Sequence, residues 1–248
     1  MRSIAELKVK IFADGADLRG ILDLYNNPLI KGFTTNPTLM KKAGIKDYRV
    51  FALDILAHIS DRPICFEVFA DDFRNMELQA EEISSWGPNV YVKVPVTTTQ
   101  GVSVAPLLKR LAKAGIRLNV TAMMTLEQVQ EVVANVAEAE SAFLSMFAGR
   151  IADTGRDPIP IMRKAVEMMG PFPNLELIWA SPRELLNIFH AEEVGCHVIT
   201  VTHDVLKKLE LVGRDLADFS LETVRMFYDD AQKAGFRLGV AKIARANQ

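Results

Sequence analysis

Short apolar segments rich in β-branched residues alternate with amphipathic segments along this chain, and this alternation constrains its fold more than any other feature. Eight such strand–helix units follow one another with no break in composition between them. Apolar strands of this kind are typical of parallel sheets covered on both faces. We therefore predict an α/β protein in which residues 1–248 form a single (β/α)8 TIM barrel with an additional C-terminal helix. A doubly wound open sheet is the alternative, but no glycine-rich phosphate fingerprint follows any strand.

The bounds of the predicted elements follow from the period of the apolar residues and from the turn residues between them. Strands are expected at residues 9–14, 32–35, 64–69, 89–95, 116–121, 142–147, 175–180 and 196–201. Helices are expected at residues 18–25, 48–59, 73–86, 102–114, 126–139, 159–169, 184–194 and 204–211. Asn36 and Pro37 open a further helix, and Thr125 with Gln128 forms a capping box. An additional amphipathic helix at residues 220–235, followed by a polar tail to residue 248, either covers the barrel floor or contacts another subunit.

Composition and charge exclude several classes of protein. The net charge of −2 and the pI of about 6.1 lack the basic footprint of a nucleic-acid-binding protein. No apolar run reaches the ~20 residues that span a bilayer, and the N-terminus lacks the apolar core of a signal peptide. We therefore expect a cytoplasmic protein that binds neither membrane nor nucleic acid. Cys65 and Cys196 are expected as buried thiols, and the histidines show no metal-ligand spacing.

One charged residue, Lys93, stands near the end of the fourth predicted strand. Side chains alternate across a strand, so Lys93 shares a face with Tyr91, opposite the valines of the same strand. Desolvation disfavours the ammonium form, and a neutral amine forms a Schiff base with a carbonyl substrate. The structural alternative is a lysine that reaches the surface or pairs with a carboxylate.

Five other strands also place polar residues at or near their carboxyl ends, away from their most aliphatic face. They are Asp14, Glu67, Asn119 with Thr121, Ser145 with Phe147, and Ser181. Ser181 is placed on this face because it lies two residues after Trp179 and so shares the face of Trp179. Active sites of (β/α)8 barrels are assembled at this rim from several strands. Convergence of six strands on one mouth favours a catalytic site over separate structural polar groups.

The residue types at this mouth suit Schiff-base chemistry on a polyhydroxylated carbonyl compound. An iminium on the lysine is an electron sink, so the bond β to it can break while Asp14 or Glu67 moves a hydroxyl proton. Arg150, Ser181 and Arg183 follow the sixth and seventh strands in predicted loops. Arginine and hydroxyl donors near helix N-termini bind phosphate readily, so an anion site is expected there.

Seven short motifs, in sequence order over residues 9–209, resemble those of the transaldolase family. They are Phe12-Ala-Asp-Gly-Ala-Asp17, Thr34-Thr-Asn-Pro-Thr-Leu39, Glu67-Val68, Val92-Lys-Val-Pro95, Asn119-Val-Thr121, Ser145-Met-Phe-Ala-Gly-Arg150 and Ala180-Ser-Pro-Arg183. One such motif is weak on its own, whereas seven in order are specific. The chain is similar in length to the compact subfamily, which has class I aldolase-type barrels.

The resemblance implies a role for each matching residue. Lys93 would form the Schiff base, Asp14 would act as acid and base at the cleaved carbon's hydroxyl, and Glu67 with Thr121 would activate water. The substrate would be held by Thr35, Asn36, Asn119, Ser145 and Phe147, and its phosphate by Arg150, Ser181 and Arg183. The family reaction moves a dihydroxyacetone unit from fructose 6-phosphate or sedoheptulose 7-phosphate to an aldose phosphate, without cofactor or metal.

Two other functions remain open beside this one. Fructose-6-phosphate aldolases of the same family release free dihydroxyacetone and carry Gln in place of Glu67 and Tyr in place of Phe147, so this chain is of the transferase type at both positions. A barrel that binds a sugar phosphate without turning it over is the other alternative. The nucleophilic Lys93 argues against it, since a binding protein has no need of such a group.

The chain also departs from the family pattern near the predicted site. Gly15 stands where threonine is usual, and Pro182 and Glu184 replace the commoner neighbours of Arg183. These changes bear on acceptor preference and phosphate affinity. Members of the compact subfamily often form pentamers or decamers through a C-terminal helix, which makes residues 221–235 a candidate subunit contact.

Overall fold

The computed structural model describes residues 4–238, and its eight strands form a closed parallel barrel in chain order. The barrel closes where β8 (Val198–Thr202) pairs with β1 (Lys10–Asp14). The other strands are β2 (Ile30–Thr34), β3 (Ile64–Glu67), β4 (Val90–Pro95), β5 (Leu118–Met123), β6 (Ala142–Met146) and β7 (Leu175–Trp179). The structure confirms the predicted (β/α)8 barrel.

Helices follow the strands and bury their apolar faces against the outside of the barrel. They are α1 (Leu18–Tyr25), α2 (Pro37–Lys42), α3 (Tyr48–Leu56), α4 (Phe73–Ser84), α5 (Ala105–Lys113), α6 (Leu126–Val136), α7 (Ala148–Asp153), α8 (Ile159–Met169), α9 (Leu186–Glu193) and α10 (His203–Leu206). The predicted bounds of α1 and α8 are confirmed to the residue.

Side chains cap the N-termini of several barrel helices. The caps are Asp17, Asn36, Asp47, Asp72 and Thr125, and each accepts a hydrogen bond from a backbone N–H of the first turn. These N–H groups have no partner within the helix, so the caps set where each helix begins. The predicted capping box is confirmed, because Gln128 N–H donates to Thr125 Oγ1 at 3.3 Å and Thr125 N–H donates to Gln128 Oε1 at 3.1 Å.

Alternation along the strands separates two apolar layers. The barrel interior contains Phe12, Cys65, Phe143, Ile178, Ala180 and Val198, with Tyr91 and Phe147 packed against them. Val92 and Val94 face the helices and belong to the larger core between strands and helices. Lys93 therefore has the inward parity that the sequence predicts. Cys65 and Cys196 are buried free thiols, as expected.

Predicted and observed bounds differ by two or three residues at several elements, among them β3, β5 and α5, and three other local predictions also differ. Residues 148–150, predicted as a loop, open α7, which is hidden in the sequence because Gly149 lies in its first turn and no side chain caps it. The helix predicted at residues 204–211 is α10 followed by a 3₁₀ turn, Lys207–Leu211. Strand β2 begins at Ile30, before the predicted residue 32.

The described residues divide into two units, residues 4–209 with the barrel and residues 210–238. The second unit contains α11 (Leu216–Lys233), whose N-cap Asp215 accepts hydrogen bonds from Ala217 and Asp218 N–H. This confirms an additional C-terminal helix, which begins before the predicted residue 220. Residues 239–248 of the predicted tail lie outside the described residues. Within residues 4–238, no helix has the length and hydrophobicity needed to cross a membrane.

Replacing Thr125 by Ala is expected to lower the free energy of unfolding by about 1 kcal/mol, because Gln128 N–H loses its acceptor. Thr125→Ser keeps the hydroxyl and is the matched control. Urea denaturation followed by circular dichroism measures both variants. Equal losses in the two variants would contradict a contribution from the cap.

Candidate active site

A cavity of about 430 Å³ opens at the carboxyl ends of the barrel strands. Every strand, or the residue directly after it, contributes to its lining: Asp14, Thr34, Glu67, Lys93, Thr121, Ser145, Ala180 and Thr200. The other lining residues are Asn36, Pro37, Thr38, Leu39, Ala122, Phe147, Arg150, Ser181, Pro182, Arg183 and Thr202. The polar residues predicted on separate strands therefore meet at one mouth, where barrel enzymes bind their substrates.

Lys93 lines this cavity although its side chain is almost fully buried. The residue is 7% exposed, and its Nζ donates a hydrogen bond to the carbonyl oxygen of Thr35 at 3.1 Å. The same Nζ lies 3.3 Å from Oε2 of Glu67. A buried charge is tolerated only when it is paired and hydrogen-bonded, and these two partners meet that requirement.

Tyr48 fixes the end of β3, from which Glu67 extends. Its hydroxyl donates to the carbonyl of Glu67 at 3.0 Å and accepts the N–H of the same residue at 2.6 Å. Burial raises the pKa of Tyr48, so the hydroxyl keeps its proton. Because Glu67 pairs in register with Lys93, this anchor holds the carboxylate level with the amino group.

Asp14 ends β1 and accepts hydrogen bonds from side chains on and just after the neighbouring strand, β2. Thr34 Oγ1 donates to Oδ1 at 2.8 Å, and Asn36 Nδ2 donates to Oδ2 at 3.2 Å. The Thr34 hydroxyl also hydrogen-bonds the hydroxyl of Thr200 on β8. Asn36 is itself fixed as the N-cap of α2, because its Oδ1 accepts the N–H of Leu39 at 3.0 Å. Three adjacent strands therefore hold one carboxylate.

Burial raises the pKa of Asp14 above its ordinary value, and the positive charge of Lys93 opposes this effect. The hydrogen bonds from Thr34 and Asn36 also oppose it. A carboxylate with a raised pKa exchanges its proton closer to neutral pH than an exposed aspartate does. Asp14 is therefore suited to accept a proton from a ligand and to return it.

Asn119, Thr121 and Ser145 place amide and hydroxyl groups beside the lysine. Asn119 pairs in register with Lys93, and its Oδ1 accepts a hydrogen bond from Ser145 Oγ at 2.7 Å. Asn119 Nδ2 and Thr121 Oγ1 are buried without a hydrogen-bond partner among the described residues. Buried polar groups are satisfied in most native proteins, so the Thr121 hydroxyl, which lines the cavity, has capacity for a bound ligand.

Helix α7 supplies another part of the cavity wall, through Arg150. The Arg150 guanidinium lies 5.3 Å from the centre of the Phe147 ring, within the range of a cation–π contact. A Cβ atom at Gly149 would lie 1.6 Å from the carbonyl oxygen of Ser181, so α7 and the segment after β7 are in direct backbone contact. Arg183, in that segment, completes this side of the cavity. The two arginines therefore reach the same region from different elements.

Two residues other than glycine that line the cavity have left-handed backbone conformations, Ala122 with φ 65° and Ser181 with φ 59°. Such a conformation costs an L-residue about 1–2 kcal/mol, and it concentrates at functional sites. Trp179 belongs to the core that faces the helices. The prediction that Ser181 reaches the mouth by the parity of Trp179 is therefore wrong, and the turn at Ser181 directs it there instead.

His203 fills the space beside the turn between β1 and α1. A Cβ atom at Gly15 would lie 3.0 Å from Nε2 of His203, and one at Gly20 would lie 2.6 Å from Cε1. Burial lowers the pKa of His203, which leaves the imidazole neutral at neutral pH. The glycine that departs from the family pattern at residue 15 therefore makes room for a histidine.

The structure brings nearly all the predicted site residues to the cavity wall. Thr35 and Asn119 are the exceptions. The Thr35 hydroxyl donates a hydrogen bond to the carbonyl oxygen of Cys65 at 2.9 Å. The contact of Thr35 with Lys93 is made by its backbone carbonyl. The sequence reasoning missed Thr200, although it has the inward parity of Val198 on β8. It also missed Tyr48, for which the sequence carries no signal.

Solved structures at low sequence identity share this fold. A 2,3-dimethylmalate lyase of the PEP mutase/isocitrate lyase superfamily matches with a TM-score of 0.54 at 13% identity, covering 98% of this chain and 89% of that one. KGPDC from Streptococcus mutans matches with a TM-score of 0.55 at 12% identity, covering 82% of this chain and 91% of that one. These similarities support the barrel fold alone.

A family model described as Transaldolase/Fructose-6-phosphate aldolase matches residues 11–239. The chain belongs to this family. A probable transaldolase from Dehalococcoides mccartyi is 31% identical over 226 residues, covering 91% of this chain and all of that one. A probable transaldolase from Rhodospirillum centenum is 34% identical over 232 residues, covering 92% and 93% of the two chains. The transaldolase resemblance drawn from the sequence is confirmed, and with it the enzyme class.

The cavity of this transaldolase-family chain is built from protein groups without an arranged metal-ligand set. Among residues 4–238, no three His, Cys, Asp or Glu side chains are placed to hold a metal ion. The charged groups that line the cavity are Asp14, Glu67, Lys93, Arg150 and Arg183.

Replacing Gly149 by Ala is expected to destabilise the protein by about 1–3 kcal/mol, because the added methyl overlaps the backbone of Ser181. Gly170→Ala is the matched control, since a Cβ there would meet Glu167 O at 3.3 Å with a helical backbone. Thermal unfolding measures both variants. Similar melting temperatures for the two would contradict the close contact between α7 and residue 181.

Proposed function

We propose that this protein is a transaldolase that transfers a dihydroxyacetone unit through a Schiff base on Lys93. The donor is fructose 6-phosphate or sedoheptulose 7-phosphate, and the acceptor is an aldose phosphate. The main support is the buried amino group of Lys93, held 3.3 Å from Glu67 in a cavity that Asp14 also lines. A site that only binds sugar phosphate has no need of this arrangement, and family membership supports the same reaction class.

The first half of the reaction cleaves the donor. Nζ of Lys93 attacks the ketose carbonyl, and water leaves to give an iminium, with Glu67 and Thr121 handling the proton and the water. Asp14 takes the proton of the C4 hydroxyl while the C3–C4 bond breaks. The bonding electrons move into the iminium and leave an enamine. With fructose 6-phosphate, the departing aldehyde is glyceraldehyde 3-phosphate.

The second half rebuilds a ketose. The enamine carbon attacks the aldehyde of the acceptor, and Asp14 returns its proton to the new hydroxyl. Water activated by Glu67 and Thr121 then hydrolyses the iminium and frees Lys93. The raised pKa of Asp14 supports this double role, because the same group must take up a proton and release it.

The remaining polar groups orient the substrate. The Ser145 and Asn36 side chains are suited to the hydroxyls of the dihydroxyacetone unit, and Asn119 supports Ser145 by accepting its hydrogen bond. Arg150, Ser181 and Arg183 are suited to the phosphate at the far end of the sugar. A buried lysine and two arginines that line one cavity suit a ketose that carries a phosphate.

The wider setting of this activity also follows from the resemblance. We expect the enzyme to act in the cytoplasm on phosphorylated sugars of the non-oxidative pentose phosphate pathway, without cofactor or metal and without nucleic-acid or membrane partners. A homo-oligomer, a pentamer or decamer with residues 221–235 at the subunit contact, is the expected assembly. Light scattering on the full chain measures its mass, and a monomer at micromolar concentration would contradict it.

Fructose-6-phosphate aldolase activity is the second candidate, because the family includes both reactions. Glu67 and Phe147 favour the transferase, since they match its residue types rather than those of the aldolase. Fructose 6-phosphate is therefore expected to give sustained glyceraldehyde 3-phosphate production only when erythrose 4-phosphate is present. A coupled assay with and without the acceptor measures this, and equal rates would assign the aldolase.

Asp14 is expected to set the acid limb of the pH profile. Its carboxylate must be ionised to accept the hydroxyl proton, so kcat/KM falls as pH decreases through its raised pKa, above the range of an ordinary aspartate. Asp14→Asn removes the base and is expected to lower kcat by about 10²–10⁴-fold. An acid limb at the usual pKa of aspartate would contradict this role.

The same substitution makes a prediction about stability with a definite sign. Because the folded-state pKa of Asp14 is raised, its contribution to stability is fully present below the unfolded-state pKa and is lost as pH rises through the folded-state value. At pH 8, Asp14→Asn is therefore expected to melt no lower than wild type. Thermal unfolding at pH 8 measures this, and a clear loss of stability would contradict the burial cost.

A further inference from the structure

Arg183 is held at the cavity wall by a carboxylate that does not line the cavity itself. Its Nε donates to Oδ1 of Asp153 at 3.1 Å, and its Nη2 donates to Oδ2 of the same residue. Arg183 belongs to the described cavity lining, whereas Asp153 does not. The carboxylate therefore binds the guanidinium of Arg183 from outside the cavity.

Two further contacts fix the rest of Arg183. Its backbone N–H donates to Oδ1 of Asn187 at 2.8 Å. Its Cγ would lie 3.3 Å from a Cβ at Gly149, so the stem of the side chain packs against the first turn of α7. The main chain, the stem and the guanidinium of Arg183 are thus each held by a different contact, although the side chain as a whole is about half exposed.

The two-bond contact with Asp153 leaves a defined part of the guanidinium available. Arginine has five N–H donors in a planar fork, and the carboxylate uses one on Nε and one on Nη2. Both Nη1 donors and the second Nη2 donor remain. These are adjacent donors in one plane, the arrangement that binds a phosphate oxygen pair.

We propose that Asp153 is a positioning residue that makes the site selective for phosphorylated substrates by holding Arg183 in its binding orientation. This deepens the proposed transaldolase function and rests on it. Helix α7 then has two parts in the anion site, because it carries Arg150 and, one turn later, the carboxylate that orients the second arginine.

Asp153 has two opposite effects on phosphate binding: it orients Arg183, which favours binding, and its negative charge repels the phosphate. We expect the orienting effect to be the larger. Ordering a long side chain on binding is unfavourable, so an arginine that is already held binds more tightly. The negative charge of Asp153 would repel a phosphate, but it lies beyond the guanidinium and is half exposed, where solvent and salt screen it. Removing Asp153 should therefore weaken phosphate binding.

The test compares two donors that differ in carrying a phosphate. Borohydride trapping of the Schiff base is titrated with fructose 6-phosphate and with dihydroxyacetone, and the half-saturating concentration of each is read by intact mass. Asp153→Asn is expected to raise the value for fructose 6-phosphate about three- to tenfold and to leave that for dihydroxyacetone unchanged. In steady state, KM for fructose 6-phosphate should rise while kcat is retained.

Glu77→Gln is the matched control, because Glu77 makes the same two-bond contact with Arg110, at 2.9 Å for each bond, away from the cavity. Glu77→Gln should leave the half-saturating concentrations of both donors unchanged. Asp153→Ala is a second variant, and circular dichroism checks the fold of both. The inference would be overturned if the Asp153 variants left the half-saturating concentration of fructose 6-phosphate unchanged or lowered it. Equal increases in the half-saturating concentrations of the two donors would also overturn it. Wild type that forms no adduct with either donor would instead overturn the proposed function.

Discussion

The burial of one amino group, that of Lys93, is the constraint on which the rest of the site depends. An amine in the barrel interior needs a charged partner and an acceptor, and Glu67 and the carbonyl of Thr35 provide them. Each partner is fixed in turn, Glu67 by Tyr48 and Thr35 through its own hydroxyl. The amino group is thus oriented without a ligand, so the proposed Schiff-base chemistry would need little reorganisation.

The sequence predicts which residues face the barrel interior where the site is built on regular strands. Alternation along β3, β4 and β5 places Glu67, Lys93, Asn119 and Thr121 on inward positions, and the structure confirms these positions. A strand has a period of two residues, so parity is reliable wherever the backbone stays extended. The order of the strands also follows from the sequence, since units of this kind pair with their neighbours in chain order.

The part of the cavity that Ser181 and α7 line is less predictable because it depends on irregular backbone. Ser181 reaches the cavity through a left-handed turn, which breaks the alternation on which its prediction was based. Helix α7 is short, lacks a capping side chain and contains Gly149 for a reason that only the close approach of Ser181 explains. Contacts between residues distant in sequence, such as those of Tyr48 with Glu67 and Asp153 with Arg183, leave no local pattern.

Peptide mapping after borohydride reduction tests directly whether Lys93 is the covalent nucleophile. Wild-type protein is reduced in the presence of fructose 6-phosphate, digested and analysed by mass spectrometry, with Lys93→Met as the control. We expect a reduced dihydroxyacetone adduct on the peptide that contains Lys93 and none in the variant. An unmodified Lys93, or an equal adduct on another lysine in both proteins, would contradict it.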